Sequence, residues 1–155
     1  ITVNIPTKIL RYNRGMANIK ENKPKTNRYG DKTWHENGKL HRLDGPAYIS
    51  KCGYSEGWYQ NGQLHREDGP ARSYTDGRTD WYKKGVHHRE DGPAVIYANG
   101  TKFWIINGDN HRIDGPAVEW ADGRREWWIN GIQYFPVSEK LPKTIMIAGQ
   151  YLVKE

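Results

Sequence analysis

The sequence predicts an all-β protein, an elongated single-layer antiparallel meander of β-hairpin repeats of about 23 residues, closed by terminal caps. Three observations predict this fold: a repeated heptapeptide, glycine turn dipeptides at fixed places, and an aromatic composition. Only 35% of the 155 residues are hydrophobic, and they include seven Trp and ten Tyr, while 17 Gly and eight Pro indicate many turns. Such a composition favours a thin β structure over a globule built around a thick aliphatic core.

The heptapeptide His-Arg-x-Asp-Gly-Pro-Ala occurs four times, at 41–47, 65–71, 88–94 and 111–117. Its copies follow one another at steps of 24, 23 and 23 residues, and a tryptophan precedes each histidine by seven residues. A fifth, degenerate unit keeps the tryptophan but loses the heptapeptide. We interpret the single 24-residue step as a local bulge near Gly57. The residues that define the structural repeat are Trp34, Trp58, Trp81, Trp104, Trp127, His41, His65, His88, His111, Asp44, Asp68, Asp91 and Asp114.

Each unit is predicted to run through a strand, a turn, a second strand, a corner at Asp-Gly-Pro and then the hairpin that leads to the next unit. The turn dipeptides are all typical of type I′ hairpins, since both central residues then need positive φ. They are Asn37-Gly38, Asn61-Gly62, Asn107-Gly108 and Asn130-Gly131 within units, and Asp76-Gly77, Asn99-Gly100 and Asp122-Gly123 between units.

Two-residue turns fix the register of the paired strands. Within a unit, Gln60 should face Gln63, and each tryptophan should face the histidine of its own unit. Between units, the same rule places Val95 opposite Trp104 and Val118 opposite Trp127. The tryptophans then form a stripe on one face of the sheet, which we expect to be the core.

The heptapeptide has a structural interpretation. Its histidine packs against the tryptophan, its aspartate accepts hydrogen bonds at the corner, its glycine supplies an unusual φ, and its proline sets the exit direction. Its arginine is expected to project to the other face, where it can pair with the aspartate. On this interpretation the aspartate contributes more to stability than the arginine does.

The pattern W-x-x-x-G-x-x-H-R-x-D-G-P-A, over about residues 29–135, resembles the MORN repeat and its variants. The more specific form looks like repeats in uncharacterised proteins of phages and giant viruses. The resemblance implies a meander of β-hairpins with a scaffolding role and no enzymatic activity. A variant group occurs in bacterial toxin-neutralising proteins. The chain has Arg-x-Asp where Gly-x-Gly is usual, so the lipid binding of some MORN proteins is not carried over.

Three regions are predicted: a basic N-terminal arm at 1–28, the repeat domain at 29–135, and a C-terminal cap or tail at 136–155. The arm carries many Lys and Arg and a single acidic residue, Glu21, within a chain of net charge +6. So polar a segment is expected to be ordered by a partner rather than by the sheet. The C-terminal segment is predicted to be a cap because repeat proteins usually need a terminal segment that covers the last unit.

Several function classes are disfavoured. Four equivalent His and Asp copies on an open sheet provide no catalytic pocket, and no catalytic motif is present. Histidines of neighbouring units should lie about 9–10 Å apart, too far to share a metal ion bound at about 2 Å, and no cofactor is implied. The single cysteine, Cys52, allows no internal disulfide, and no apolar run has the length of a transmembrane helix.

Nucleic acid is the stronger rival to a protein partner, because Arg42, Arg66, Arg89 and Arg112 form a candidate anion-binding ladder. The aspartate two residues after each arginine can neutralise it. We therefore expect a non-enzymatic structural or protein-binding component of a larger viral assembly, whose partners contact the basic arm and the C-terminal tail. Its place would be the virion or the cytoplasm of the infected cell. The alternatives are a module that neutralises a host or bacterial protein, and a binder of nucleic acid or another anionic polymer.

Overall fold

The computed structural model describes residues 23–135, together with the backbone of 144–147 and 150–153. These residues form short β-strands and contain no helix, which confirms the predicted all-β meander. The strands are β1 (Lys25–Thr26), β2 (Lys32–Thr33), β3 (His35–Glu36), β4 (Lys39–Leu40), β5 (Tyr48–Ile49), β6 (Ser55–Gly57), β7 (Tyr59–Gln60), β8 (Gln63–Leu64), β9 (Arg72–Tyr74), β10 (Thr79–Asp80), β11 (Tyr82–Lys83), β12 (Val86–His87), β13 (Val95–Ile96), β14 (Lys102–Phe103), β15 (Ile105–Ile106), β16 (Asp109–Asn110), β17 (Val118–Glu119), β18 (Arg125–Ile129), β19 (Ile132–Tyr134), β20 (Thr144–Ile147) and β21 (Gln150–Val153).

The outer halves of the units form one long antiparallel sheet. It has 13 strands in the order β1-β2-β5-β6-β9-β10-β13-β14-β17-β18-β19-β20-β21. Within the repeats, the turns between units join β5 to β6, β9 to β10, β13 to β14 and β17 to β18, whereas the Asn130-Gly131 turn of the fifth unit joins β18 to β19. Each unit therefore adds two strands to the sheet, and every neighbouring pair is antiparallel.

The inner halves of the units are two-stranded hairpins: β3-β4, β7-β8, β11-β12 and β15-β16. Backbone hydrogen bonds link each hairpin to the next. The Gly62 amide donates to the Leu40 carbonyl at 2.8 Å, and the Arg42 amide donates to the Tyr59 carbonyl at 3.0 Å. The same two bonds recur between the following hairpins. The units are thus joined along two parallel lines of backbone bonding.

The turns within units confirm one prediction. Asn37, Asn61, Asn107 and Asn130 all have positive φ, followed by a glycine with positive φ, as a type I′ turn requires. The pairing of Gln60 with Gln63 is the predicted one. The turn of the third unit, Lys84-Gly85, adopts the same geometry with Lys84 at φ 52°, although no Asn marks it in the sequence.

The turns between units are not type I′, and that prediction was wrong. Only the glycine has positive φ at 77, 100 and 123. Tyr97 N donates to Thr101 O at 2.9 Å, and Gly100 N donates to Tyr97 O at 2.9 Å. This is a three-residue loop that ends in a glycine bulge. The extra loop residue shifts the register by one position, so that Val95 pairs with Phe103 rather than Trp104, and Val118 pairs with Glu126 rather than Trp127.

The 24-residue step also has a different origin from the predicted bulge near Gly57. Strand β6 pairs without interruption on both sides. Ser50 N instead donates to Ser55 O at 3.0 Å, which encloses a loop one residue longer than that between Tyr74 and Arg78. The additional residue therefore lies in the turn.

A row of alternating tryptophans and alanines crosses the centre of the sheet. Trp81 N donates to Ala94 O at 2.7 Å, and the register of β13 and β14 places Ala94 opposite Trp104. The heptapeptide alanines Ala47, Ala71, Ala94 and Ala117 are each 0% exposed. Each alanine thus lies between two tryptophan residues on neighbouring strands, where full burial favours a small side chain.

The sheet continues into both predicted end regions. Strand β1 lies within the predicted arm 1–28 and pairs with β2, while residues 1–22 lie outside the described part of the chain. At the other end, β20 pairs with β19 and β21 with β20. These two strands fall in the predicted C-terminal cap.

Candidate functional site: the corner ridge

The Arg-x-Asp-Gly-Pro residues of each unit form a five-residue excursion out of a β-strand. Before the excursion, Leu40 pairs with His35. After the excursion, Tyr48 pairs with Thr33, which lies two residues before His35 in the same stretch of chain. Trp34 lies between these two partners, and it binds both sides, through His41 N to Trp34 O at 3.0 Å and Trp34 N to Ala47 O at 2.8 Å. We call the excursions corner segments, at 42–46, 66–70, 89–93 and 112–116, and together they form the corner ridge.

The arginine of each corner segment lies over the tryptophan of its own unit. The guanidinium carbons of Arg42, Arg66, Arg89 and Arg112 lie 4.3, 4.0, 3.9 and 4.1 Å from the ring centroids. This is the geometry of a cation–π contact. It also corrects the sequence-based expectation that the arginine projects to the face opposite the tryptophan.

The same guanidinium closes the excursion by hydrogen bonds. Nε of Arg89 donates to Oδ1 of Asp91 at 2.7 Å, and Nη1 donates to the Pro93 carbonyl at 3.3 Å. The other three units repeat both bonds. Each arginine therefore joins the tryptophan, the aspartate and the proline carbonyl of its unit.

The corner glycine is required for space and not for its backbone angle. Gly45, Gly69, Gly92 and Gly115 are not among the glycines with positive φ, which contradicts the predicted role. A Cβ atom placed on Gly92 would lie 2.9 Å from the Cζ of Arg89, and at the other three corners this distance is 2.7 to 3.0 Å. A glycine lets the held guanidinium lie directly against the backbone.

The repeated histidine links neighbouring units. Nδ1 of His65 accepts a hydrogen bond from the backbone amide of Lys84, at 3.1 Å, in the turn of the next unit. His41, His88 and His111 accept the equivalent bond from Asn61, Asn107 and Asn130. The Nε2 atoms of His41 and His88 face Glu36 and Glu90 at 3.3 and 3.2 Å.

Carboxylates dominate what the corner ridge presents to solvent. The side chains of Asp44, Asp68, Asp91 and Asp114 are 80 to 83% exposed, whereas those of their arginines are 21 to 24% exposed. The hydrogen bond from the paired arginine, and then its charge, lower the pKa of Asp44, Asp68 and Asp91 below the ordinary value. These carboxylates are therefore ionised near neutral pH.

The variable residue of each corner segment precedes the aspartate and is also exposed. It is Leu43 in the first unit and Ile113 in the fourth, 70% and 58% exposed. In the two central units it is Glu67 and Glu90, which are also exposed. Sequence reasoning missed these positions, because a residue that varies between units carries no signal in a repeat pattern.

An open cleft of about 560 Å³ separates the second and third corner segments. Glu67 and Asp68 lie along one side and Glu90 and Asp91 along the other, and the lining is completed by Trp81, His88, Arg66, Arg89 and Lys83. The cleft is wide and open rather than enclosed, so it suits a side chain that enters from a partner better than a small molecule that must be surrounded.

The fifth unit keeps the register, and its sequence lacks the Arg-x-Asp-Gly-Pro motif. Trp127 pairs with Tyr134, which occupies the place of the histidine and is buried. Phe135, in the place of the arginine, is exposed. The last copy of the motif that forms the corner ridge is therefore that of the fourth unit.

Strand alternation gives the opposite face a different chemistry. Guanidinium groups and aromatic rings alternate near the turns between units: Arg78 lies 5.2 Å from the ring centroid of Tyr74 and 4.5 Å from that of Tyr97. Tyr97 contacts Phe103 edge-on, and Phe103 contacts Trp120 in the same way. Arg78 also forms two hydrogen bonds with the buried carboxylate of Asp80. The cation–π contacts, ring contacts and hydrogen bonds on this face are therefore made among its own side chains.

Within residues 23–135 no three His, Cys, Asp or Glu side chains are grouped to hold a metal ion. The described part of the chain also has no helix that could cross a membrane. Comparison with known protein families, with curated proteins and with solved structures found no significant match.

Proposed function

We propose that this protein is a non-enzymatic structural and protein-binding component of a larger, viral assembly, and that its units serve to present a regular surface. The observation that carries the proposal is that the polar groups of the repeated motif form hydrogen bonds within the protein itself. The arginine, the aspartate Oδ1 and the histidine Nδ1 of every unit are engaged within the fold. Groups so engaged in four equivalent copies support a structural role, because a catalytic group must be available to its substrate.

The same contacts weigh against the arginine ladder as the principal binding feature. A phosphate would have to compete with an aspartate, a carbonyl and an indole ring for each of Arg42, Arg66, Arg89 and Arg112. Phosphate binding gains its free energy from the release of counterions by available cations. The outward groups of the ridge are carboxylates, which favour a basic protein over a polyanion as the partner.

Assembly membership can be tested by quantitative mass spectrometry of particles purified from the native source. We expect the protein at a constant molar ratio to the principal structural protein across density fractions, and we expect it to remain after a high-salt wash. A protein that is absent from the particles, or whose ratio drifts between fractions, would contradict the proposal.

A further inference from the structure

We propose that the corner ridge binds a basic polyproline II segment of a protein partner, with Lys or Arg at every third residue. This inference rests on the proposed protein-binding function and adds the docking surface and the chemistry of the partner. It begins from the spacing of the ridge. Each unit contributes two strands to the sheet, and strands lie about 4.7–4.9 Å apart, so equivalent corner residues recur at about 9–10 Å.

A polyproline II helix has three residues per turn and rises about 3.1 Å per residue, so every third side chain recurs on one side at about 9.3 Å. This matches the period of the ridge. An α-helix places its residues at about 5.4 Å per turn and a β-strand places its same-face residues about 6.6 Å apart. A polyproline II segment that lies across the strands can therefore present one side chain to each successive corner segment.

The charge of the ridge selects cations. Glu67, Asp68, Glu90 and Asp91 line the central cleft from both sides, and these four carboxylates outnumber the three cationic side chains of its lining, Arg66, Arg89 and Lys83. Their carboxylates are exposed, while Arg66 and Arg89 lie beneath them against Trp58 and Trp81. A Lys or Arg side chain that enters the cleft meets carboxylates on two sides and an indole at the cleft wall, an arrangement that suits a cation.

The ends of the ridge select apolar contact. Leu43 and Ile113 occupy in the first and fourth units the positions that Glu67 and Glu90 occupy in the second and third. Both are exposed. Proline rings at the two ends of the segment can pack against them. The four corner segments span about 29 Å, the length of about nine or ten residues in polyproline II geometry.

The test is fluorescence anisotropy with labelled synthetic peptides and the full chain. The first peptide repeats Lys-Pro-Pro four times, and the control has the same composition with its four lysines consecutive. We expect the periodic peptide to bind at least about fivefold more tightly than the control, and its affinity to fall as salt is raised. Equal affinity of the two peptides would overturn the proposal, because the period would then have no part in binding.

The double variant Glu67→Gln/Glu90→Gln should weaken binding of the periodic peptide by about three- to tenfold, since two exposed ion pairs are lost. The matched control, Asp76→Asn/Asp109→Asn, removes two carboxylates that lie in turn and hairpin positions away from the ridge. It should leave binding within about twofold of the parent. Thermal melting of both variants verifies that the fold is kept. Equal weakening by the two double variants would contradict a site at the ridge.

A third variant, Leu43→Ser/Ile113→Ser, tests the ends of the ridge and does not touch its charge. It should weaken a version of the periodic peptide flanked by prolines more than the unflanked version. These results are independent of particle composition. A protein present in particles but indifferent to peptide period would lose only the ridge proposal, and one that binds the periodic peptide but is absent from particles would lose only the assembly proposal.

Discussion

The guanidinium carbon of Arg89 lies 3.9 Å from the ring centroid of Trp81, and the same guanidinium donates to Asp91 and to the carbonyl of Pro93. The Arg89 side chain thus contacts the tryptophan and the aspartate of its unit, and its bond to the Pro93 carbonyl fixes the backbone of the corner segment. We expect this arginine to contribute more to the stability of a unit than the aspartate that it holds, and the first prediction tests that order.

Arg89→Ala should lower the free energy of unfolding by about 1–3 kcal/mol, because it removes a cation–π contact and two hydrogen bonds. Asp91→Asn should cost less than about 1 kcal/mol, since an amide oxygen can still accept from Nε and the aspartate is exposed. Urea unfolding of both variants measures the difference. This order is the reverse of the one expected from the sequence, and a larger loss for Asp91→Asn would restore the earlier interpretation.

Gly92→Ala should destabilise by about 1–3 kcal/mol, as other overpacked sites do, because the new methyl group would lie against the held guanidinium. In an Arg89→Ala background the same substitution should cost almost nothing. Gly100→Ala is the matched control: its φ is 90° with no atom within 4 Å, so its cost of about 1–2 kcal/mol comes from the backbone and should be the same in both backgrounds. A double-mutant cycle measures both couplings, and equal coupling for the two glycines would refute the spatial role of Gly92.

Ala94→Leu should destabilise the protein by about 1–3 kcal/mol, because Ala94 is fully buried on a strand between those of Trp81 and Trp104 and the larger isobutyl side chain has no space. Ala121→Leu, at an exposed turn position, should change stability by no more than about 0.5 kcal/mol. Thermal melts compare the two. Similar melting temperatures for both variants would show that the Trp and Ala row does not form a packed core.

His87 provides a test of pH dependence. It stacks on Tyr82 with ring centroids 4.0 Å apart, and its Nε2 is buried without a hydrogen-bond partner. Burial lowers the pKa of His87 below its ordinary value. The unfolded chain therefore takes up a proton at higher pH than the folded chain, so the stability contributed by His87 is present above the unfolded pKa and is lost as the pH falls towards the folded pKa.

Replacement of this residue by an aromatic ring that does not titrate isolates its contribution. Between pH 7.5 and pH 5.5, His87→Phe should lose less stability than the parent, measured by urea unfolding at each pH. The repeated histidines remain in both proteins and serve as a common background. An identical loss in parent and variant would show that His87 does not contribute to the pH dependence.

Two N-terminal deletions separate the arm from the fold. Deletion of 1–28 removes β1 and Asn27, whose side chain accepts from the amides of Tyr29 and Asp31, and should cost about 1–2 kcal/mol. Deletion of 1–22 keeps these contacts, and we predict that it leaves the melting temperature unchanged and weakens assembly. A shorter deletion that destabilises the isolated protein as much as the longer one would show that residues 1–22 belong to the fold.

The register within units could be predicted because a two-residue turn and the alternation of strand residues determine it together. The turns between units could not be assigned from their dipeptides. Asn99-Gly100 and Asn107-Gly108 are identical in sequence, yet only Asn107 has positive φ. The difference depends on how many residues the flanking strands leave in the loop, and the dipeptide contains no information about that number.

The corner segments were likewise predictable in part from the sequence. The repeat made it plain that His-Arg-x-Asp-Gly-Pro-Ala builds one structural feature. The positions of Arg89 over Trp81 and of Ala94 between two indoles depend on a five-residue departure from the strand. Residue propensities favour a corner at Asp-Gly-Pro, but they do not say that the chain returns to the strand it left.

Because the chain returns to its own strand after each corner segment, whole units can be lost or gained, and the length of the sheet changes accordingly. Ala71 and Ala94 occupy equivalent places in the Trp and Ala row, so a chain that passed directly from Ala71 to Val95 would omit one whole period. Strand β6 would then pair with β13 in the place of β9, through the same type of antiparallel pairing that joins the other units. Loss or duplication of a unit changes the sheet by about 10 Å and leaves both ends unaltered. A lineage of such proteins can therefore match the dimension of what it spans through the number of its units, with the same type of strand pairing at each junction.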